Sequence, residues 1–190
     1  MKSIYRALIL AAATLVASVP AHADKYTDTA QLFRNAGQSS EFFKKSYGYA
    51  VFPTIGKGGV GVGGAYGEGR VFVGGKYVGD TSMAQLSVGW QLGGEGYSQI
   101  IFFEDKRAFE EFTSGNFEFG ANVNAVAITA AASGTASTAG ASAGASGGKK
   151  DAATAGKYYK GMAVFTIAKG GLMYEASLSG QKYKYKPAGK

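Results

Sequence analysis

The sequence predicts an α+β protein that is mainly β: a strongly curved antiparallel sheet or partly open barrel, with a few short covering helices. Three segments, residues 84–92, 117–125 and 172–178, alternate apolar and polar side chains with the period of two that marks a half-buried strand. Such strands belong to antiparallel sheets. Glycine pairs at positions 74–75, 93–94 and 170–171 supply tight turns between strands.

Residues 24–47 are the only stretch before the sheet that suits helices. The apolar residues that would share one helical face are Ala30, Phe33 and Ala36. Gly37 is a natural stop for this helix. Ser39 or Ser40 then suits the N-cap of a second short helix that runs through residues 41–45.

One more helix is predicted inside the strand region, at residues 105–114. Its apolar side would consist of Ala108, Phe109 and Phe112. Glu104 or Asp105 suits the N-cap, and Gly115 suits the end. This helix is expected to cover one side or end of the curved sheet.

A glycine-rich segment, residues 47–70, contains nine glycines, eight of which follow one short apolar strand. Gly56, Gly58 and Gly61 match the spacing of the G-x-G-x-x-G dinucleotide fingerprint. That fingerprint needs a helix directly after the glycines to hold the pyrophosphate. The residues that follow are too rich in glycine to be helical, since each interior glycine costs roughly 1 kcal/mol relative to alanine. We therefore expect no nucleotide site.

Glycines within strands permit bulges, bends and close backbone approach in a curved sheet. We favour this interpretation for the glycine-rich segment. The alternative is that Gly61, Gly63 and Gly64 leave room for a ligand.

Three blocks of the chain, residues 49–69, 97–127 and 165–187, carry a family resemblance. They begin YAVFPTIGKGGVGVGGAYGEG, YSQIIFFEDKRAFEEF and FTIAKGGLMYEASL. In this order they resemble the SYLF family. The resemblance implies lipid binding, to phosphoinositides and other anionic lipids in eukaryotic members, some of which also bind actin. This chain carries an export signal, so phosphoinositides and actin are not expected as its partners.

The first 23 residues have the three parts of a secretory signal peptide. Lys2 and Arg6 form the charged region, residues 7–19 the apolar region, and residues 21–23 the small-residue cleavage site. Cleavage would leave residues 24–190 as a single SYLF-like domain. We expect this protein in the periplasm, with membrane association or secretion as further options.

Removal of residues 1–23 also removes His22, the only histidine, and the chain has no cysteine. The mature protein would therefore lack thiol catalysis, histidine general-base catalysis and almost every zinc or haem site. We expect a non-enzymatic protein without a cofactor or metal. A carboxylate hydrolase that uses Glu68 or Glu95 is the catalytic alternative.

Residues 130–148, AAASGTASTAGASAGASGG, are a low-complexity segment with almost nothing to bury in a core. We expect a flexible surface loop. It is not expected to be a domain linker, because the residues after it resemble the closing strands of the same family domain.

The C-terminal part is the basic end of the chain, with nine lysines against two carboxylates in residues 149–190. Alternation along a strand places Lys182, Lys184 and Lys186 on one face and the rings of Tyr183 and Tyr185 on the other. Lysines are worth about 1 kcal/mol each near an anionic lipid surface, and tyrosine favours the headgroup region. In the alternative interpretation, the lysines protect an edge strand and the tyrosines belong to the core.

A second basic set is formed by Lys44, Lys45 and Lys57, with Phe42 and Phe43 as aromatic candidates for a membrane interface. In the family, the region before the glycine-rich signature is implicated in membrane contact. The alternative is a solvated helix that packs on the sheet.

These observations predict a lipid-binding protein of the bacterial envelope that binds anionic phospholipid, at a membrane surface or in a cavity. The alternative is a structural or interaction protein of the envelope or outer surface with no lipid ligand. Nucleic acid is not expected, because the chain is exported and lacks an RNA-binding signature. An exposed sheet edge is compatible with pairing to a second copy.

Overall fold

The structure is a computed structural model that describes residues 24–60, 62–88, 95–119, 125–128, 158–169 and 178–189. Several predictions fall outside the described residues: the signal peptide at 1–23, the loop at 130–148, most of the strand at 172–178, and the glycine pairs at 93–94 and 170–171.

The described strands form one sheet in the order β5-β8-β3-β2-β1-β4-β7-β6. Their bounds are β1 Gly48–Val60, β2 Val62–Val73, β3 Lys76–Val88, β4 Glu95–Phe103, β5 Phe117–Glu118, β6 Val126–Ile128, β7 Met162–Lys169 and β8 Gln181–Pro187. Neighbouring strands are antiparallel, except that β6 pairs with β7 in parallel. The antiparallel part curls into a half-barrel, which confirms the predicted fold class.

The turn between β2 and β3 is the glycine turn that the sequence predicts. Gly74 and Gly75 have φ values of +56° and +78°. Two successive residues with positive φ are required by the two-residue hairpin turn that matches strand twist. Glycine adopts this conformation without steric cost.

The paired strands β1 and β2 approach each other closely at two glycines. β1 changes register after Val51. A Cβ added at Gly67 would lie 2.5 Å from Ile55 Cγ1, and one added at Gly69 would lie 2.7 Å from two ring carbons of Phe52. These two glycines therefore allow a backbone approach that no other residue permits.

The sheet buries apolar side chains on both faces. We call the inner face the one that carries Phe52, Ile55, Met83 and Tyr183, which belong to one buried cluster with Ala108 and Phe112 of helix α4. The opposite, outer face is covered by the N-terminal helices over β1, β4 and β7. The buried cluster between these helices and the sheet includes Phe33, Phe42, Val51, Ile100, Phe102 and Phe165.

The helices are α1 Lys25–Asn35, α2 Gly37–Ser40, α3 Phe42–Lys45 and α4 Lys106–Phe112. The predicted apolar face of the first helix is confirmed, because Ala30, Phe33 and Ala36 are buried. The predicted serine N-cap is wrong. Ser39 Oγ donates to the Phe33 carbonyl at 2.5 Å, and Ser40 Oγ donates to the Gly37 carbonyl at 3.2 Å. Both hydroxyls bond carbonyls of the preceding turns, and Glu41 occupies the N-cap position of α3 with no side-chain cap hydrogen bond.

The cap of α4 agrees with the sequence prediction. The Ala108 amide donates to Asp105 Oδ1 at 2.8 Å. The helix ends at Phe112, two residues before the predicted end. Gly115 follows with a φ of +97°, a left-handed conformation that stops the chain from continuing as a helix.

Strand β3 corrects the sequence prediction of its buried face. The predicted apolar ladder began with Ala84 and Leu86, but Ala84 is exposed and Leu86 is 86% exposed. The residues of β3 that face the core are Thr81 and Met83. The alternation was predicted correctly, but the wrong face of β3 was predicted to be buried. Met83 packs into the inner cluster, whereas the N-terminal helices do not cover the outer face of β3. The side chains at positions 88, 90 and 92 lie outside the described residues.

The predicted strand at residues 117–125 is described in part. β5 covers Phe117–Glu118 and pairs with β8. Phe119 and Ala125 are buried in the inner cluster, as their apolar character predicts. Residues 120–124 lie outside the description.

Candidate functional site

The uncovered part of the outer face, across β2, β3 and β8, carries the candidate site. Strand register arranges its side chains in rows. Tyr66 stands beside Ala84, and Ala84 beside Lys182. The next row contains Glu68, Ser82 and Lys184, and the third contains Arg70, Asp80 and Lys186. Directly opposite side chains in such a sheet have Cβ atoms about 5 Å apart, so each row brings its members into reach of one another.

A groove of about 540 Å³ lies over these rows. Its volume falls within the range of about 300–1,000 Å³ that is usual for small-molecule sites. The side chains of Glu68, Asp80, Lys184 and Lys186 line it, and Tyr26 at the start of α1 lies at its border with Tyr66. The groove thus forms between an N-terminal helix and the C-terminal strand.

The predicted alternation of β8 is confirmed. Lys182, Lys184 and Lys186 are exposed, whereas Tyr183 is 1% exposed. Tyr185 is partly buried, and its hydroxyl donates to the Val78 carbonyl at 2.8 Å. Tyr183 is therefore a core residue, and its ring does not reach a surface in this fold. This corrects its assignment as a candidate for a membrane interface.

Buried hydrogen bonds hold Tyr183 of β8 on the inner face. Gln99 Nε2 donates to the Tyr183 hydroxyl at 2.8 Å, and that hydroxyl donates to Gln181 Oε1 at 2.5 Å. Gln181 Nε2 in turn donates to the Tyr97 hydroxyl at 3.1 Å. Burial raises the pKa of Tyr97 and of Tyr183. The sequence offered no signal for this network, because two of its hydrogen bonds join β4 to β8 across 84 positions of the chain.

The lysine face is not purely cationic. Lys182 Nζ lies 3.6 Å from Glu118 Oε2. Within the described residues, Lys184 and Lys186 have no ion-pair partner. Their row neighbours nevertheless include Glu68 and Asp80, so the groove holds two ammonium groups and two carboxylates. From the sequence, Glu68 was considered only as a catalytic alternative, and neither carboxylate was placed beside the lysines, because both lie more than 100 positions before them.

Arg70 fixes the helix at the edge of the groove. Its guanidinium is paired with Asp24, lies 3.7 Å from Asp80 Oδ1, and sits 4.3 Å from the centre of the Tyr26 ring. A second ring, that of Tyr77, is 5.3 Å away. Arg70 thus joins the start of α1 to β2 and β3.

An apolar strip borders the groove on the outer face. Tyr66 is 57% exposed, and Leu86 is 86% exposed. Beside them in the register lie Gly56, opposite Tyr66, and Gly58, opposite Gly64. A Cβ added at Gly56 or Gly58 would meet nothing within 4 Å. These glycines leave bare backbone next to exposed apolar side chains. They also lie within a strand, as expected if the glycine motif does not bind a dinucleotide.

The second basic set does not come together. Lys57 lies nine residues along β1 from Gly48, which is roughly 30 Å in an extended strand, whereas Lys44 and Lys45 precede that strand. Lys57 Nζ lies 5.1 Å from the centre of the Tyr97 ring, on the inner face. Lys45 Nζ bonds Glu41 Oε2 at 2.8 Å, and this hydrogen bond lowers the pKa of Glu41.

The aromatic candidates of α3 pack on the sheet. Phe42 is buried, with ring contacts to Phe102 and Phe165 at 5.5 and 5.0 Å. Phe43 is partly buried and holds the Arg34 guanidinium 4.2 Å from its ring centre. Phe42 is therefore corrected from an interface candidate to a core residue. The packed-helix interpretation describes this region better.

In the part of the chain that the structure describes, no helix has the length and apolar character needed to cross a membrane. The fold and this face define a half-barrel domain of the mainly β class, with helices on one part of its outer face and a mixed-charge groove on another.

Comparison with known proteins identifies the family of this domain. The family model described as Las17-binding protein actin regulator (Ysc84) matches residues 84–187. The chain belongs to this family, which is the SYLF family, and the resemblance noted in the sequence is confirmed. The chain is also similar to Beta cell expansion factor A of Aeromonas veronii, with 33% identity over 160 residues that cover 82% of this chain. The aligned region spans 53% of that relative's length.

Proposed function

We propose that this protein is a non-enzymatic phospholipid-binding protein of the bacterial envelope, and that the outer-face groove is its lipid site. The observation that carries the proposal is that two lysines, Lys184 and Lys186, line a groove beside exposed apolar side chains and form no ion pair with any described residue. Family membership supports a lipid-binding or actin-regulator-like role. The periplasmic location follows only from the signal peptide prediction, and it disfavours actin as a partner.

A headgroup phosphate suits the two lysines. They project two residues apart from the same face of β8, roughly 7 Å along the strand. Each ammonium group has three donors and no acceptor, so both can bond phosphate oxygens. Neither lysine forms an ion pair within the described part of the chain, so no such pair has to be broken before a phosphate binds.

The apolar part of a lipid suits the neighbouring strip. Leu86 and Tyr66 offer exposed apolar surface, and the open space over Gly56 and Gly58 allows an alkyl segment to lie directly on the strand backbone. Covering apolar surface contributes about 25 cal/mol per Å². This arrangement supports binding at a membrane surface with partial insertion of the strip.

Flotation with phospholipid vesicles tests the proposal. The double variant Lys184→Gln/Lys186→Gln should lose vesicle binding. The matched control Lys44→Gln/Lys45→Gln removes the same charge from α3 and should retain it. Loss of binding in the control alone would move the site to the N-terminal helices. No binding of the unaltered protein to any phospholipid vesicle would refute the function.

The same apolar strip also favours the second candidate, an envelope protein that binds another protein through its sheet. A patch that contains an exposed leucine and an exposed tyrosine is typical of contact surfaces. In that case, the unaltered protein would not bind vesicles, and the variant Leu86→Asp would lose its association with the partner protein.

A further inference from the structure

The groove combines both signs of charge at short range. Lys186 stands directly opposite Asp80, and Ser82 alone separates Lys184 from Glu68 in their row. The Tyr66 hydroxyl donates to Glu68 Oε1 at 3.4 Å, and no ion pair holds the Glu68 carboxylate within the described residues. Within the described part of the chain, the groove therefore presents a carboxylate and two ammonium groups that no ion pair neutralises.

We infer that the groove recognises a headgroup that carries a phosphate and a primary ammonium together, which is the chemistry of phosphatidylethanolamine. This inference rests on the proposed function and names the lipid class for the same site. The phosphate lies at Lys184 and Lys186. The ammonium lies at Glu68, where the exposed ring of Tyr66 adds a face that attracts cations.

Charge complementarity favours this headgroup over a purely anionic one. A headgroup with a phosphate and no cation would leave the Glu68 carboxylate without a positive charge beside it and close to a like charge, which weakens binding. Asp80 is different, because Arg70 already lies 3.7 Å from its Oδ1. Glu68 is thus the residue that discriminates between the two classes of headgroup.

The test uses the purified protein with vesicles of the uncharged galactolipid digalactosyldiacylglycerol, in which a minority of the lipid is replaced by phosphatidylethanolamine or by phosphatidylglycerol. We expect at least about tenfold tighter binding to the phosphatidylethanolamine vesicles, which is the order expected for one hydrogen bond between charged groups. Free phosphoethanolamine serves as a competitor. If it binds the protein while vesicles of either kind do not, the ligand is a soluble zwitterion and the lipid inference is overturned.

The variant Glu68→Gln should lose the preference for phosphatidylethanolamine and bind the phosphatidylglycerol vesicles more tightly than the unaltered protein does. Glu110→Gln is the matched control: it removes one exposed carboxylate from α4, where Lys106 lies 3.2 Å away, and should leave the ratio unchanged. Equal or tighter binding to phosphatidylglycerol by the unaltered protein would overturn this inference and leave the phospholipid function standing. An unchanged ratio in Glu68→Gln would do the same. Absence of binding to both vesicles would overturn the function as well.

Discussion

Gly69 lies in a tightly packed part of the curved sheet, and replacement by alanine should be costly. The added Cβ would lie 2.7 Å from two ring carbons of Phe52 and 2.8 Å from the Val51 carbonyl oxygen. Phe52 is completely buried, so its ring cannot swing into solvent, and the carbonyl belongs to the sheet backbone. Overpacking costs about 1–3 kcal/mol, and two immobile neighbours place this site in the upper part of that range, at about 2–3 kcal/mol.

Gly56→Ala is the matched control, because it makes the same chemical change in the neighbouring strand. An added Cβ at Gly56 meets nothing within 4 Å. The backbone at Gly56 does not have a positive φ, so alanine fits without strain. The change should be neutral or stabilise the fold by about 0.4–1 kcal/mol.

Urea unfolding followed by far-ultraviolet circular dichroism measures both variants. Gly69→Ala should lower the midpoint with an unchanged denaturant slope, and its thermal midpoint should fall by about 5–10 °C for a chain of this size. A Gly69→Ala protein as stable as the unaltered one would refute the packing argument, and so would an equal loss in Gly56→Ala.

Three further predictions concern the core, the titration of the buried tyrosines and the cap of α4. Met83→Ala should cost about 2–5 kcal/mol in unfolding free energy and Leu86→Ala less than about 0.5, because only the methionine is buried; the reverse order in urea unfolding would restore the predicted face of β3. Burial raises the folded-state pKa of Tyr97 and Tyr183, so the folded protein keeps protons that the unfolded chain releases above about pH 10. The stability that these neutral phenols contribute is complete below that pH and should be lost above it, by up to about 1.4 kcal/mol per pH unit for each tyrosine; Tyr183→Phe should flatten this slope in urea titrations at alkaline pH. Asp105→Ala should cost about 1 kcal/mol, since Oδ1 accepts from the Ala108 amide, whereas Asp105→Ser should recover most of that loss in thermal unfolding.

Much of the local structure could be predicted from residue patterns. The apolar face of α1, the aspartate cap of α4 and the glycine turn before β3 each depend on residues that are close in sequence. The alternation of lysine and tyrosine in β8 is equally local, because successive side chains of a strand point to opposite sides. These predictions agree with the structure. The prediction of a serine cap was wrong, because the Ser39 hydroxyl donates to a carbonyl six residues earlier in the chain.

The candidate site could be predicted only in part. The lysines of β8 were found because they lie together in the sequence. Glu68 and Asp80 were not placed beside them, because nothing local indicates that β3 lies between β2 and β8. Lys57 was grouped with Lys44 and Lys45 by charge alone, but an extended strand carries it away from them.

The sequence by itself determined the strand period, the positions of α1, α3 and α4, and the family, since these follow from neighbouring residues and from motifs in order. The tertiary structure alone decided which side of each strand is buried. In β3 it turned Met83 inward and left Leu86 exposed, because cover for each face comes from elements far away in the chain. It also placed two carboxylates beside two lysines, because strand pairing joins residues that are more than 100 positions apart.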